Sequence, residues 1–327
     1  MPPQRQSRTR ILHIYFAPIL AALVLASCEN ATENKPPVNV GQSLGAGCVS
    51  AAANGLSTSE FGCGLLQSTG IPSVDQAITQ EVPILRNFFS AQQYAVYFFD
   101  ECDPANANAY ASSKGYVIFG RYFAQMLYQP GSSTLPHLAF LAHEFGHAHQ
   151  YVNGWLNLSG SQRTTELEAD AFAGFYVALA KNWAGLDIDT YYKTLFNYGD
   201  FYFNSPSHHG TPIQRYAAGG LGLGAALYAV QNNFTPTPQQ LHTLFIDRIT
   251  NCIVQLQDPS PCIVVSAPPV AGGVIDPEVR KMASRLDNEL IRGLAMGERS
   301  IREIPALPRE RARVALNNWM ARASGSH

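Results

Sequence analysis

Two histidines and a glutamate within five residues form the pattern with the clearest chemistry in this sequence. His143, Glu144 and His147 occur in the order HEFGH. On a helix, residues four apart share one face, so the two imidazoles can reach a single metal ion. Glu144 lies beside that face, where its carboxylate can hydrogen-bond a metal-bound water without being a ligand. The spacing predicts a hydrolytic metal centre, and zinc suits it because zinc accepts imidazole nitrogen and leaves one position for water.

The next predicted helix supplies the expected third ligand. Its segment ELEAD places Glu166 and Asp170 four residues apart on one face. Glu166 can complete the ligand set, while Asp170 can accept a hydrogen bond from the outer ring nitrogen of a ligating histidine. Glu168 points away from this face, so we expect it to be solvated or ion-paired. Ala173 and Gly174 continue the face and would allow the two helices to approach closely.

The ordinary alternative is a surface helix with two histidines that bind nothing, followed by a surface carboxylate. Phe140 and Leu141 precede His143, so the helix is mostly buried and its histidines need partners. The longer metzincin pattern HExxHxxGxxH is excluded, because Gln150 and Asn153 stand where it needs glycine and histidine. The remaining histidines of this helix are expected to be solvent-exposed or structural; they are His137 and His149.

Three sequence blocks together resemble the gluzincin-type zinc peptidases. They are HEFGH, then ELEAD followed by AFAG, and then SHHGTPIQR, in which His209 and Arg215 are six residues apart. The chain is similar to the bacterial neutral zinc metallopeptidase family. It is more distantly similar to membrane-associated zinc endopeptidases with HExxH and ExxxD motifs. The resemblance covers roughly residues 72–230 and does not extend to the cysteine-containing segments, the N-terminal signal or the tail after Val264.

The resemblance implies a role for each matched residue. One zinc ion per chain would be held by the two motif histidines and Glu166, with Asp170 behind them. Glu144 would take a proton from water and later deliver it to the leaving amine. His209 would hydrogen-bond the oxyanion of the transition state. Arg215 would either orient Glu166 or bind substrate.

A predicted hairpin upstream completes the resemblance. Its segment Asn108-Ala109-Tyr110-Ala111 resembles the edge strand that lies over the active-site helix in these families. An extended substrate would pair with that edge through main-chain hydrogen bonds. The implied function is a zinc endopeptidase that hydrolyses proteins or peptides, including cell-wall peptides, with loose side-chain preference.

Two other functions stay open. The first is a catalytically retired, zinc-stabilised binding or chaperone lipoprotein; it is disfavoured because Glu144 and His209 are both present. The second is a lipoprotein scaffold whose charged C-terminal helices bind a partner, with peptidase activity secondary.

The N-terminus has the pattern of an export signal. Three arginines within the first ten residues precede an apolar stretch over 11–26 that ends in LASC. Small residues before Cys28 resemble the lipobox of bacterial lipoproteins, which implies cleavage before Cys28 and lipid on its sulfur. An ordinary signal peptide or an uncleaved anchor is the alternative. Glu29, unlike an aspartate there, gives no inner-membrane retention signal, so we expect a periplasm-facing chain anchored to the outer membrane.

Export places the remaining cysteines in an oxidising compartment. Five cysteines follow Cys28, and this odd number suggests two disulfides and one free thiol. Proximity along the chain favours the pairs Cys48–Cys63 and Cys252–Cys262, which leaves Cys102. None has the close CxxC spacing of a zinc or redox pair.

Composition excludes some classes of binding partner and of protein. The 327 residues include 22 Lys and Arg against 24 Asp and Glu, a formal charge of −2, so no basic surplus exists to bind nucleic acid. The hydrophobic fraction of 46% supports a substantial core. No clean apolar run of about 20 residues follows residue 27, which excludes a polytopic membrane protein.

Local signals place the motifs on regular elements. Periodicity predicts a helix over 72–92 despite Pro83, a strand over 94–99 and a hairpin over 109–119. Helices are expected over 134–153, 161–181, 211–229, from 237, over 276–296 and over 308–322. We expect an α+β, zincin-like fold, with the HExxH helix packed under a small mixed sheet and a mostly helical C-terminal part. The expected segments are a signal peptide 1–27, a flexible tether 28–47, a metallopeptidase domain 48–263, a linker 264–275 and a helical tail 276–327.

Overall fold

A computed structural model describes residues 63–156, 162–181, 186–199, 209–255 and 309–323. Within these ranges the fold is α+β, as predicted, with a small sheet and a larger set of helices. Several predicted features lie outside the described residues: the signal peptide, the tether, the linker, the helix over 276–296, Cys28, Cys48 and Cys262.

The sheet has four strands and mixed pairing. They are β1 (Gly64–Leu66), β2 (Ala95–Asp100), β3 (Ala109–Ser112) and β4 (Tyr116–Gly120), in the spatial order β1-β2-β4-β3. β2 pairs in parallel with β4, and the two outer pairings are antiparallel. The predicted hairpin is present as β3 and β4, and β3 forms one edge of the sheet.

Eight α-helices lie in the described ranges, and six of them match the predicted positions. The two helices that were not predicted are α2 (Arg121–Leu127) and α5 (Leu186–Asn197). The predicted helices are α1 (Pro72–Phe88), α3 (Leu135–Val152), α4 (Gln162–Leu179), α6 (Pro212–Gln231), α7 (Pro238–Asn251) and α8 (Arg309–Ala323).

Capping boxes fix the start of α6 and α7. The Thr211 hydroxyl accepts a hydrogen bond from the Gln214 backbone N–H, and the Gln214 side-chain oxygen accepts one from the Thr211 backbone N–H. Thr237 and Gln240 repeat this arrangement on α7. Each box satisfies two backbone N–H groups that the helix itself leaves unpaired. These caps define where the two helices that surround α4 begin.

Small residues bring α4 close to both of its neighbours. A Cβ atom at Gly146 of α3 would lie only 2.9 Å from the carbonyl oxygen of Ala169, so α3 and α4 are in backbone contact there. Gly174 packs against Gly219 of α6 and not, as predicted, towards the histidine helix. The close approach that the site needs therefore depends on Gly146, one residue before His147.

The disulfide pairing differs from the prediction. Cys63 is bonded to Cys102, with their Cα atoms 5.1 Å apart, and is not paired with Cys48. The reason is the antiparallel pairing of β1 with β2, in which the Cys63 N–H donates to the Asp100 carbonyl. That register places Cys63 beside the end of β2. Cys63 and Cys102 are therefore close in space although they are 39 residues apart in sequence. Cys252 is also disulfide-bonded, to a cysteine outside the described residues.

The C-terminal helix α8 packs onto the helical core. Its Trp319 is fully buried against Phe88 of α1, Phe175 of α4 and His149 of α3, and the indole N–H donates to the Phe88 carbonyl, 2.8 Å away. The segment expected to be a tail thus contributes to the core through α8. Among the described helices, none combines the length and apolar character needed to cross a membrane.

Candidate metal centre

Three side chains from α3 and α4 converge on one point. The Nε2 atoms of His143 and His147 are 3.2 Å apart, and the Glu166 carboxylate oxygens lie 3.3 and 3.4 Å from them. A tetrahedral ion with nitrogen and oxygen ligands at about 2.0–2.1 Å holds those ligands about 3.3 Å apart. The three residues therefore form a group that can bind one metal ion, and the donor set fits such an ion.

His143 is held by a buried charged pair. Its Nδ1–H donates to Asp170 Oδ1 at 2.8 Å, as predicted, which leaves Nε2 free to face the ion. Arg215 donates to both oxygens of the same carboxylate, at 2.8 and 2.7 Å. Of the two roles expected for Arg215, orienting Glu166 or binding substrate, neither predicted this contact with Asp170. Arg215 lies behind the first ligand, bound to Asp170.

Charge complementarity stabilises the ligand group. Burial alone would raise the pKa of Glu166, but the two neighbouring imidazoles outweigh burial and hold that pKa well below its ordinary value. Burial likewise would lower the pKa of His143, yet the Asp170 charge and hydrogen bond raise it to about 10.

Glu144 lies beside the ligand group without belonging to it. Its side chain is buried, and burial raises the pKa of its carboxyl group above the ordinary value, against the opposing effect of His143 and His147. The backbone N–H of Ala111, on the edge strand β3, donates to this carboxylate. The sheet edge and the general-base candidate are thus joined by a direct hydrogen bond.

An open cleft of about 750 Å³ runs over this group. One wall is the edge strand with Asn108 before it, where the Asn108 side chain accepts from the Ala109 N–H. His209 and Arg215 line the cleft as well, near the start of α6. The structure therefore brings the predicted catalytic, metal-binding and substrate-binding residues to one place; they are Asn108, Ala109, Tyr110, Ala111, His143, Glu144, His147, Glu166, His209 and Arg215.

Aromatic residues that the sequence did not indicate also line the cleft. Tyr198, just after α5, packs edge-on against Phe140, and Phe123 of α2 packs against both. No local signal could have placed them, since α2 and α5 were not predicted. Tyr151 was detectable, because it lies four residues after His147 on the same helix face. Burial, followed by the charges of the two cleft glutamates, raises the Tyr151 pKa.

Two buried histidines on α3 are structural. The His137 Nε2–H donates to the Ala124 carbonyl, and the His149 Nδ1–H donates to the Phe89 carbonyl at 2.8 Å. Burial lowers the pKa of His149 to about 4, so its ring is neutral near pH 7. The structural alternative in the prediction is confirmed for both residues, and solvent exposure is wrong.

Comparison with known proteins provides no evidence about the function. No family model, curated protein or solved structure matches this chain. The resemblance of the three sequence blocks to gluzincins therefore remains an expectation based on those residues.

Removal of the carboxylate ligand tests the metal site directly. Glu166→Ala should release the ion, because two imidazoles alone leave the site one donor short. The loss of affinity should exceed the roughly 10- to 100-fold that loss of an outer hydrogen bond causes. Metal content after dialysis, by inductively coupled plasma mass spectrometry, measures it, with exposed Glu310→Ala on α8 as the control. Full metal retention in Glu166→Ala would contradict this ligand set.

Proposed function

We propose that this protein is a zinc-dependent endopeptidase of zincin-like fold. The observation that carries the proposal is the convergence of His143, His147 and Glu166, whose nearest nitrogen and oxygen atoms are 3.2–3.4 Å apart, at a cleft that Glu144 also lines. Two imidazoles and one carboxylate are a ligand set of catalytic zinc, in which a fourth position stays available to water. When bound, zinc would activate that water and polarise the scissile carbonyl.

Glu144 would act as the general base and then as the acid. Its carboxylate lies next to the ligand group and is oriented by the Ala111 N–H, so it can accept a proton from an attacking water. Burial raises its pKa towards the range in which a carboxyl group can both accept and return a proton. The same side chain can then deliver that proton to the leaving amine.

The edge strand supports a peptide as substrate. β3 is at the end of the sheet and borders the cleft, so an extended chain can lie alongside it and pair with its backbone. The Ala109 N–H is satisfied by the Asn108 side chain in this structure, an interaction that a substrate carbonyl can replace. His209, which lines the same cleft shortly before α6, would supply a hydrogen bond to the oxyanion.

Export and lipid anchoring complete the proposal. The arginine-rich start, the apolar stretch and Cys28 support a lipoprotein anchored to a bacterial membrane and facing the periplasm. The Cys63–Cys102 disulfide supports an oxidising compartment. Mass spectrometry of the mature N-terminus tests this placement, and an unlipidated N-terminus upstream of Cys28 would contradict it.

Metal-dependent proteolysis tests the activity. The purified protein should cleave an unfolded protein substrate at internal bonds, and a chelator should abolish cleavage because the ligand group alone provides no activated water. Mass spectrometry of the products identifies the cleaved bonds. Restoration by zinc after removal of the chelator is the control against irreversible unfolding. Undiminished cleavage in the presence of the chelator, with the metal shown to be absent, would refute the proposal.

A further inference from the structure

A glutamine side chain, not an acid, supports the second histidine ligand. Gln150 Oε1 lies 2.8 Å from His147 Nδ1, and Gln150 Nε2 donates to the Thr165 carbonyl and to Glu168 Oε2, both at 2.9 Å. The two latter groups only accept hydrogen bonds, so they fix which way the amide points. Its oxygen must therefore face the ring, and His147 Nδ1 must carry the proton. That tautomer leaves His147 Nε2 free for the ion.

Glu168 connects this amide to α7. Its side chain is 1% exposed, and its second oxygen lies 2.6 Å from His242 Nδ1. The His242 ring stacks on Trp155 with centroids 4.2 Å apart and planes 14° from parallel. The prediction that Glu168 is solvated is thus wrong, and its ion-pairing alternative agrees with this contact. A continuous set of hydrogen bonds runs from His147 to a histidine on another helix.

The two ligand histidines are therefore supported differently. Behind His143 stands Asp170, a carboxylate whose charge is balanced by Arg215. Behind His147 Nδ1 stands the neutral amide of Gln150, and Glu168, the carboxylate behind that amide, is one side chain further away. An amide holds the ring orientation as a carboxylate does, but places less negative charge against the ring. The orientation of His147 then depends on whatever holds the amide.

We propose that Gln150, held in place by Glu168 and His242, is the positioning residue for the metal ligand His147. The ring orientation of His147 then depends on the placement of α7, which does not itself border the ligand group. The inference rests on the metal site in the proposed function but not on peptide hydrolysis. Its test needs bound metal only.

Paramagnetic NMR of the Co²⁺-loaded full chain distinguishes the two ligand histidines by their Nδ1–H signals. Each ligating histidine should give one strongly shifted, exchangeable Nδ1–H signal, so the unaltered protein should show two. Gln150→Leu removes the acceptor of one proton, and one signal should disappear through exchange with water while the other persists. Co²⁺ affinity, measured by titration, should fall roughly 10- to 100-fold, the usual effect of losing an outer hydrogen bond to a ligand.

Two further variants distinguish loss of His147 positioning from a general destabilisation of the fold. Gln125→Leu makes the same Gln-to-Leu change at an exposed position of α2 and should leave both signals and the affinity unchanged. His242→Phe keeps the stack on Trp155 but removes the donor to Glu168. It should weaken Co²⁺ binding less than Gln150→Leu does.

The outcomes decide the inference without ambiguity. Retention of both signals and of full affinity in Gln150→Leu would overturn it, as would loss of both signals in that variant or equal losses in Gln125→Leu. Failure of the unaltered chain to bind Co²⁺ would overturn it too. If the unaltered chain shows both signals but cleaves no peptide, the proposed peptidase fails and the positioning role of Gln150 stands.

Discussion

Glu144→Gln should reduce peptide hydrolysis by a factor on the order of 10² or more, because the amide cannot accept a proton from water. The variant keeps the size of the side chain, and the three ligand residues are unchanged. Metal content and the unfolding midpoint should therefore stay close to those of the unaltered protein. Initial rates on a quenched fluorescent peptide, together with metal analysis of the same sample, measure both quantities.

The same variant separates the enzyme from the zinc-stabilised binding module. A binding module has no transition state to stabilise, so the amide should leave its affinity for an unfolded chain unaltered. In the enzyme, the loss should appear in kcat and not only in KM. The matched control is Glu310→Gln, whose carboxylate lies exposed on α8 next to Arg313. Hydrolysis at the unaltered rate in Glu144→Gln would remove the basis for the peptidase assignment.

Local sequence signals predicted most helices but not how the strands pair. The threonine, proline and glutamine at the start of α6 and α7 define a capping box from residues three positions apart, and the structure contains both boxes. The parallel pairing of β2 with β4 joins segments that are separated by β3, and no local pattern encodes it. The Cys63–Cys102 disulfide follows from another long-range pairing, the antiparallel pairing of β1 with β2. Proximity in sequence therefore selected the wrong partner.

The candidate site was predictable where its residues share a helix face. HEFGH and ELEAD each place two functional side chains four residues apart, so their convergence required only that the two helices pack. The supporting residues come from different elements. Arg215 contacts Asp170 from α6, and His242 contacts Glu168 from α7. Neither contact can be predicted from the spacing of these residues along the sequence. The contact of Gln150 with His147 was predictable from the sequence, since Gln150 follows His147 by three residues on the same helix.

Arg215→Met should destabilise the fold by about 3–5 kcal/mol, the usual cost of leaving a buried charge without its partner. Asp170 is fully buried, and Arg215 is 3% exposed and donates two hydrogen bonds to it. The Arg215 guanidinium contacts both oxygens of this carboxylate, and its positive charge holds the Asp170 pKa below the ordinary value against the effect of burial. Urea unfolding of the metal-loaded protein measures the difference in free energy of unfolding.

A double variant tests whether the cost comes from Asp170. Adding Asp170→Asn to Arg215→Met removes the buried charge, so the double variant should be more stable than the sum of the single losses predicts. Arg313→Met breaks the exposed pair with Glu310 and should change stability little, since exposed ion pairs contribute little. If Arg215 served substrate binding instead, Arg215→Met would raise KM with stability unchanged. Additive losses in the double variant would likewise contradict the pairing, because independent sites do not share one carboxylate.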